Sequence, residues 1–497
     1  MKTHEVAVRE YKQLINGEWT ASSSGETIER RSPATGEVVA KFFLGTIEDT
    51  QQAIAAARTA FGNGPWPRMS GAERGRILHR LAQLVRENLE RLALIEAQEV
   101  GKPIKEARGE MEMCISLIEY AASMSQQIYG QSYSNLGAKR TAMVVKEPVG
   151  VVGIITAWNF PAVVLCQKLP FALATGCTTV VKPSEFTSGT TLEISRLAQE
   201  AGVPDGVINV VTGYGDVVGQ SMIDSPEIDR ISFTGSTATG KKVLARSAQY
   251  IRKVTMELGG KSAMIVFEDA DLEDALDGAM LGFMLNQGEE CVSNSRLLIH
   301  EKIADDFLEK LVEKVKKIKV GNPLSEDTDM GALIHEDHVN KVLAYIESAK
   351  QAGARLLTGG NRLIGGEHQN GCFVEPTIFD QVDQNMKVFQ EEIFGPVLSV
   401  TRFQNLEEAI SLANSVDYGL GNSVWTKDID KAMTVSRALR SGSVWVNTLI
   451  DIVPELPAGG YKASGFGREL GTFSIDEFME VKTINIHTGK RTPYYNV

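Results

Sequence analysis

At 497 residues the chain is longer than a single hydrophobic core usually supports, so two or three domains are expected. Its formal net charge of -12, from 63 acidic against 51 basic residues, offers no basic footprint for a phosphate backbone or an anionic membrane surface, which argues against nucleic-acid and membrane partners. The 43% hydrophobic share and the 46 scattered glycines are those of an ordinary globular protein and exclude a low-complexity or disordered chain.

Residues 1–10 set Lys2 and Arg9 against Glu5 and Glu10 and lack the apolar core of a secretory leader, so a cytoplasmic protein is expected. Leading strands follow: QLINGEWT carries an Asn16-Gly17 hairpin signal, and SPATGEVVAKF places Pro33 and Gly36 around another turn. From Thr46 to about Gln127 apolar residues recur at three- and four-residue steps, which predicts helices with Ile77, Leu81, Leu84, Val85 and Leu92 as a buried stripe. Residues 141–157, TAMVVKEPVGVVGIITA, read as two strands about a turn at Pro148 and Gly150. The apolar run 151–181 is broken by Asn159, Pro161, Gln167, Lys168 and Pro170 well short of the ~20 residues a membrane span needs, so it reads as core.

Strands and helices then alternate: strands at 178–182, 208–213 and 230–235, with helices near 188–201 and from 237. Short Val/Ile-rich runs separated by helices predict a parallel, doubly wound sheet. A second α/β region spans about 259–460, with helices at 302–317 and 336–352. The C-terminal EVKTINIH alternates as a strand with no evident partner in its own chain.

The five cysteines, Cys114, Cys166, Cys177, Cys291 and Cys372, form no C-x-x-C pair, so neither a disulfide framework nor a zinc site is expected. His335 and His338 lie close together without a third ligand type, and no metal is expected. Cys114, Cys166, Cys177 and Cys372 read as small core hydrophobes. Cys291 differs: it sits in LNQGEECVSNS, which reads as a polar and flexible stretch, where Glu289 and Glu290 would raise a thiol pKa.

Glycine-rich turns after strands are candidate phosphate cradles. In RISFTGSTATGKK, Gly235-x4-Gly240-Lys241 approaches a P-loop, but Lys242 stands where that motif needs a hydroxyl. Gly213-Tyr214-Gly215 with Gly219 is a dinucleotide fingerprint one residue out of register. VVKPSE, at a predicted strand's carboxyl end, offers Lys182 and Glu185 to ribose hydroxyls.

Seven segments in order, TAWNFP at 156–161, VKPSE at 181–185, FTGSTATG at 233–240, MELGGKS at 256–262, NQGEEC at 286–291, EEIFGPV at 391–397 and GGYKASGFGRELG at 459–471, make the chain resemble the aldehyde dehydrogenase superfamily, in its non-acylating branch, over essentially its whole length. The resemblance implies an α/β fold: a Rossmann-type cofactor domain (1–124 and 148–258), a second α/β catalytic domain (259–460), a β oligomerisation arm (125–147 and 477–497) and a return segment (461–476). It places the arm's two pieces beside each other, with Glu480 and Lys482 near a subunit contact in a homodimer or homotetramer.

It further implies NAD-dependent oxidation of a small aldehyde to its acid, with Cys291 as nucleophile, Asn159 as oxyanion donor and Glu257 as general base. The chemistry has independent reasons. An aldehyde carbon cannot surrender hydride until a nucleophile makes it tetrahedral, and a thiolate leaves a hydrolysable thioester. The developing alkoxide needs N–H donors, and the thioester needs activated water. For the cofactor the resemblance implies Ile155, Trp158, Lys182, Glu185, Gly215, Phe233, Gly235, Ser236, Leu258, Glu392 and Phe394, with NAD favoured over NADP by Glu185. Phe160, Val163, Gln167, Leu285, Glu290, Val292, Ile450 and Ile452 are the expected substrate residues. Gln167 and Ala458 stand where the family often has aromatics, which implies a tunnel less aromatic than that of a betaine-aldehyde enzyme, and the absence of a pocket arginine disfavours dicarboxylic semialdehydes. Glu257 argues against the acylating, coenzyme-A-dependent branch, and Cys291, Asn159 and Glu257 together argue against an inactive lens-type structural protein.

Overall fold

A computed structural model describes residues 8–495; residues 1–7, which bear most of the expectation about a leader, lie outside the described residues. The leading turns form as expected, with Asn16 and Gly17 at φ 53° and 82° and Gly36 at φ 75°. The first hairpin joins the edge of a large sheet, while Val38–Phe43 pairs with Arg9–Tyr11 on one side and Thr27–Arg31 on the other in a separate three-stranded sheet. The helical region comprises Ile47–Asn63, Gly71–Glu87, Leu89–Val100 and Ile104–Met124. The first two start at capping boxes, Thr46 with Asp49 and Ser70 with Glu73, which satisfy N–H groups left free at a helix start. Of the expected stripe Leu81, Leu84, Val85 and Leu92 are buried, while Ile77 is only half-buried and its neighbour Leu78 takes the inner place.

The first large sheet has eight strands in the order Gly465–Phe466, Lys253–Glu257, Arg230–Thr234, Val151–Ile155, Thr178–Lys182, Ile208–Val210, Gln13–Ile15 and Glu18–Thr20. Neighbours from Lys253–Glu257 to Ile208–Val210 are parallel. Val151–Ile155, Thr178–Lys182 and Ile208–Val210 are buried throughout, as strands covered on both faces must be. Chain order reverses between Val151–Ile155 and Arg230–Thr234, and that reversal opens a crevice beyond their carboxyl ends.

A second, seven-stranded sheet runs Arg355–Thr358, Thr377–Asp380, Val397–Phe403, Arg296–His300, Ala263–Val266, Gly421–Trp425 and Ser443–Val446, parallel except at its first pair. Helices Leu272–Met284 and Glu301–Val315 pack on one face, and Glu336–Gln351 and Leu406–Asn414 belong to the other cluster. The chain passes from the first sheet to the second through residues 258–262 and later returns to the first sheet's edge at Gly465–Phe466. An added Cβ at Gly259 would lie 2.2 Å from Glu392 Oε2, and one at Gly260 would lie 2.2 Å from the Cys291 carbonyl oxygen. Only glycine allows so close an approach.

The tail strand, Met479–His487, does have a partner in its own chain: it pairs antiparallel with Arg140–Pro148 from Met479↔Pro148 to His487↔Arg140. Gln131–Tyr133 completes this three-stranded sheet and leaves the tail strand at its edge. Arg140–Pro148 and Val151–Ile155, consecutive in sequence, therefore belong to different sheets.

Candidate active site

Strand register assembles the cofactor side. Ile155 pairs with both Lys182 and Phe233, so three of the expected residues lie side by side at the carboxyl ends of adjacent strands. An added Cβ on Gly219 would lie 3.8 Å from Lys182 Cδ and 4.0 Å from Ile155 Cδ1, which brings the wide turn Gly215–Gly219 onto the same wall. Gly215 itself faces open space. The Lys182 ammonium donates to the Pro183 carbonyl (2.9 Å) and to Glu185 (3.2 Å), and burial pulls its pKa down while Glu185 opposes that. Ser236 caps the helix Thr237–Ser247 by accepting from Thr239 N, so the segment recognised as an imperfect P-loop does open a helix. Within it, Gly240 allows close packing: an added Cβ would lie 2.5 Å from Leu258 Cδ2.

The crevice leads into a cavity of ≈ 610 Å³ between the two large sheets. Its walls carry Cys291, Glu257 and Asn159; Trp158, Gly235, Ser236, Leu258, Glu392 and Phe394 of the expected cofactor residues; and Phe160, Val163, Gln167, Leu285, Glu290, Val292, Ile450 and Ile452, the whole expected substrate set. Ile155, Lys182, Glu185, Gly215 and Phe233 lie outside this cavity. Asn159 follows the strand Val151–Ile155 and Glu257 ends the strand Lys253–Glu257, whereas Cys291 precedes a strand of the second sheet, Arg296–His300.

The segment ahead of the thiol is not the flexible stretch its polarity suggested. Asn286, Gln287, Glu289 and Glu290 are buried. Asn286, Gln287 and Gly288 have φ of 48°, 57° and 73°, a left-handed run that costs roughly 1–2 kcal/mol for each non-glycine residue. Polar bonds hold it: Asn286 Nδ2 donates to the carbonyls of Asn159 (2.9 Å) and Glu289 (3.2 Å), and Asn286 N to Glu106 (3.0 Å). Asn159 Nδ2 also donates to the Glu289 carbonyl (3.0 Å), and Lys102 Nζ to the Asn159 carbonyl (2.8 Å). The buried Glu289 carboxylate accepts from Ile334 N (2.9 Å).

Burial above all, then Glu290, Glu392 and Glu257, pushes the Cys291 thiol well above its ordinary pKa. Burial, reinforced by Glu469 and opposed by Lys168, lifts the Glu257 carboxyl in the same direction, and its Oε1 has no hydrogen-bond partner. On the cofactor side Glu392 accepts from Gly260 N (2.8 Å), and burial lifts its carboxyl to about 7. Trp158 meets the Phe394 ring edge-on at 5.2 Å, and the Phe394 carbonyl contacts His338 Nε2 at 2.6 Å. His335 caps its helix by accepting from His338 N, so both histidines have structural tasks. Cys114, Cys166 and Cys177 are buried as expected; Cys372 is half-buried, at the edge of its cluster.

Sequence reasoning missed several residues at the cavity. Glu106 and Glu110 stand four apart on the helix Ile104–Met124 and line it, a signal present in IKEARGE. Glu469, which also lines it, forms a buried ion pair with Lys168 across 301 residues, and no local pattern announces that pairing.

A crevice at the switch point of a doubly wound sheet, continuing into a cavity that holds a thiol, an amide and a carboxyl from two sheets, defines a two-domain α/β enzyme of the nucleotide-dependent kind. The sequence model of the aldehyde dehydrogenase family matches residues 19–484, and the chain belongs to that family. It is 42% identical to betaine aldehyde dehydrogenase of Bacillus subtilis, with 96% of this chain and 97% of that protein covered. It is 41% identical to human retinaldehyde dehydrogenase 3, over 97% and 94%. Among solved structures, an NAD-dependent aldehyde dehydrogenase of Sinorhizobium meliloti superposes with a TM-score of 0.97 at 46% identity, over 99% and 97% of the two chains. Betaine aldehyde dehydrogenase of Staphylococcus aureus in complex with NAD+ gives 0.96 at 39%, over 98% and 96%.

Proposed function

We propose that this enzyme oxidises an aldehyde to the carboxylic acid with NAD, through a thioester on Cys291. The reading is carried by the convergence of Cys291, Asn159 and Glu257 on one cavity that also receives Trp158, Glu392 and Phe394. The residues fit NAD: the Lys182–Glu185 pair and the exposed Ser236 cap suit a ribose and a phosphate, and relatives include an NAD+ complex. Bound NAD would supply the hydride acceptor.

The Cys291 thiol gives its proton to solvent, and its sulfur bonds to the aldehyde carbon as the C=O π pair moves onto the oxygen. The charge that gathers on the aldehyde oxygen is held by the second N–H of the Asn159 amide, whose first is given to the Glu289 carbonyl, and by the Cys291 main-chain N–H. Loss of hydride leaves the acyl group on sulfur. Glu257 then takes a proton from the water that attacks the thioester; a carboxyl lifted by burial is a stronger base than an exposed one. Cys291→Ser should lower kcat by at least ~10³-fold while NAD still raises Tm. Activity within about tenfold of the wild type would refute the thioester route.

The domain division expected from the sequence is in keeping with the two large sheets and the small tail sheet. We place 1–124 with 148–258, 259–460, the arm 125–147 with 477–497, and the return segment 461–476 accordingly. A homodimer or homotetramer is supported by the edge position of Met479–His487, whose Val481, Ile484 and Ile486 are exposed. Glu480 pairs with Lys253 at 2.7 Å and Lys482 pairs with Glu147, so both charges on that strand already have partners in the chain. No helix among the described residues is long and apolar enough to cross a membrane, and the free cysteines suit a cytoplasmic setting.

A further inference from the structure

The cavity's two ends differ in charge. Toward the cofactor side it is lined by Lys341, His335 and Glu392. At the other end, beside the expected substrate residues, Glu106 and Glu110 face it from the helix Ile104–Met124 and Glu290 from the residue before the thiol. One buried ammonium, Lys102, serves these three carboxyl groups, and it is committed to Glu110, to the Asn159 carbonyl and to the face of Phe160, 4.0 Å from the ring centroid. Glu106 accepts from Asn286 N (3.0 Å). Glu290 is 6% exposed, and its Oε2 has no hydrogen-bond partner. A buried carboxyl oxygen without a partner is costly unless the site's ligand supplies one.

We propose that this end of the cavity recognises a positively charged group, so that the aldehyde carries a protonated amine, with Glu290 and Glu106 reading its charge. The inference rests on the aldehyde-oxidising reading above. The charge arithmetic points one way: three carboxyl groups share the single ammonium of Lys102, which is bonded to Glu110, so Glu106 and Glu290 are left for the ligand. An anionic aldehyde would meet both.

Protonation sharpens the selectivity. Burial first, then Glu106, lifts the Glu290 carboxyl to about 8, with Lys102 opposing. Burial lifts Glu106 to about 7, against Lys102, the Asn286 N–H and Lys105. In the empty site at neutral pH, Glu290 is therefore mostly protonated. A bound cation favours its ionised form, so binding releases a proton and tightens as pH rises toward 8. Burial and Glu96 lift Glu110 as well, although Lys102 holds it in an ion pair.

The test compares 3-aminopropanal with butanal, which have the same number of heavy atoms and differ in one charge. For the wild type, kcat/KM at pH 8 should favour 3-aminopropanal by roughly tenfold or more, a difference carried mainly by KM. The preference should grow between pH 6 and 8.5. Glu290→Gln should reduce the ratio of the two kcat/KM values by roughly 10–100-fold and flatten its pH dependence. The ratio cancels any common change in thiol reactivity. Glu106→Gln, which keeps an acceptor for Asn286 N, should reduce it less and gives a second reading if the first variant folds poorly. Equal use of the two aldehydes by the wild type, or an unchanged ratio in the folded variants, would overturn the inference and leave aldehyde oxidation standing. Failure of the wild type to oxidise either aldehyde with NAD would count against the proposed function itself.

Discussion

Replacement of Asn159 by alanine separates catalysis from folding. In the structure the Asn159 amide has one task, donation to the Glu289 carbonyl at 3.0 Å. That carbonyl also accepts from Asn286 Nδ2 at 3.2 Å, so the substitution leaves it with a partner. The Asn159 main-chain carbonyl stays fixed by Lys102 (2.8 Å) and Asn286 (2.9 Å). The stability cost should therefore be that of one replaceable hydrogen bond plus a small void, about 1–2 kcal/mol, which shifts Tm by only a few degrees in a protein of this size. The catalytic cost is of another order. Loss of one preorganised donor to a developing oxyanion removes about 2.7–4 kcal/mol from the transition state, or 10²–10³ in kcat. NADH absorbance with saturating aldehyde gives kcat, scanning fluorimetry gives Tm, and the alkylation rate of Cys291 by iodoacetamide tests whether the thiol has changed. A kcat within threefold of the wild type, with unchanged alkylation, would show that the oxyanion is held elsewhere.

Glu257→Gln should spare hydride transfer and cripple hydrolysis, giving a rapid burst of up to about one equivalent of NADH per site, then near-silence, with the acyl group found on Cys291 by mass spectrometry; full steady-state turnover would refute the assignment. Because Glu185 stands 3.2 Å from Lys182 at the strand end, the extra phosphate of NADP would face a carboxylate, so NAD should be preferred and Glu185→Ser should narrow the gap; an equal or better kcat/KM with NADP in the wild type would contradict this. A carboxyl lifted to about 8 binds its proton more tightly in the folded state, so the stability Glu290 contributes is complete below the unfolded value near 4.5 and is lost progressively as pH rises to about 8. Glu290→Gln should accordingly gain Tm over the wild type across that window and plateau above it; a constant difference from pH 4.5 to 9 would disprove the shift. Light scattering should give a dimer or tetramer at micromolar concentration, and a monomer would remove the subunit role assigned to the tail strand.

Local signals in the sequence decided which parts of this fold were legible. Thr178–Lys182 and Arg230–Thr234 lie between helices and are stopped at their carboxyl ends by Pro183 and Gly235, so their type and their ligand-facing ends follow from the local sequence. The segment around Cys291 misled because polarity was equated with exposure, while Asn286 and Glu289 are buried and spend their polar atoms on the backbone of neighbouring segments. Ile77 and Leu78 stand four and three residues before Leu81, so both fit the helical spacing and periodicity alone does not rank them. The pairing of Met479–His487 with Arg140–Pro148 and the Lys168–Glu469 contact span more than 300 residues, and distant partners leave no trace in a local pattern.

The short passage through residues 258–262 would attract anyone wishing to recombine this protein with a relative, since it is where the chain first leaves one large sheet for the other. It is the worst place to cut. Glu257 lies at its threshold, Gly259 and Gly260 admit no side chain against Glu392 and the Cys291 carbonyl, and a one-residue slip would displace base and nucleophile relative to each other. Chimeras joined there would also draw the first sheet's edge strand Gly465–Phe466 and the tail strand from the other parent, and should be catalytically dead, whereas junctions in the exposed loops should be forgiven. In such a molecule the connector belongs to the machinery, and the two halves must be inherited as one.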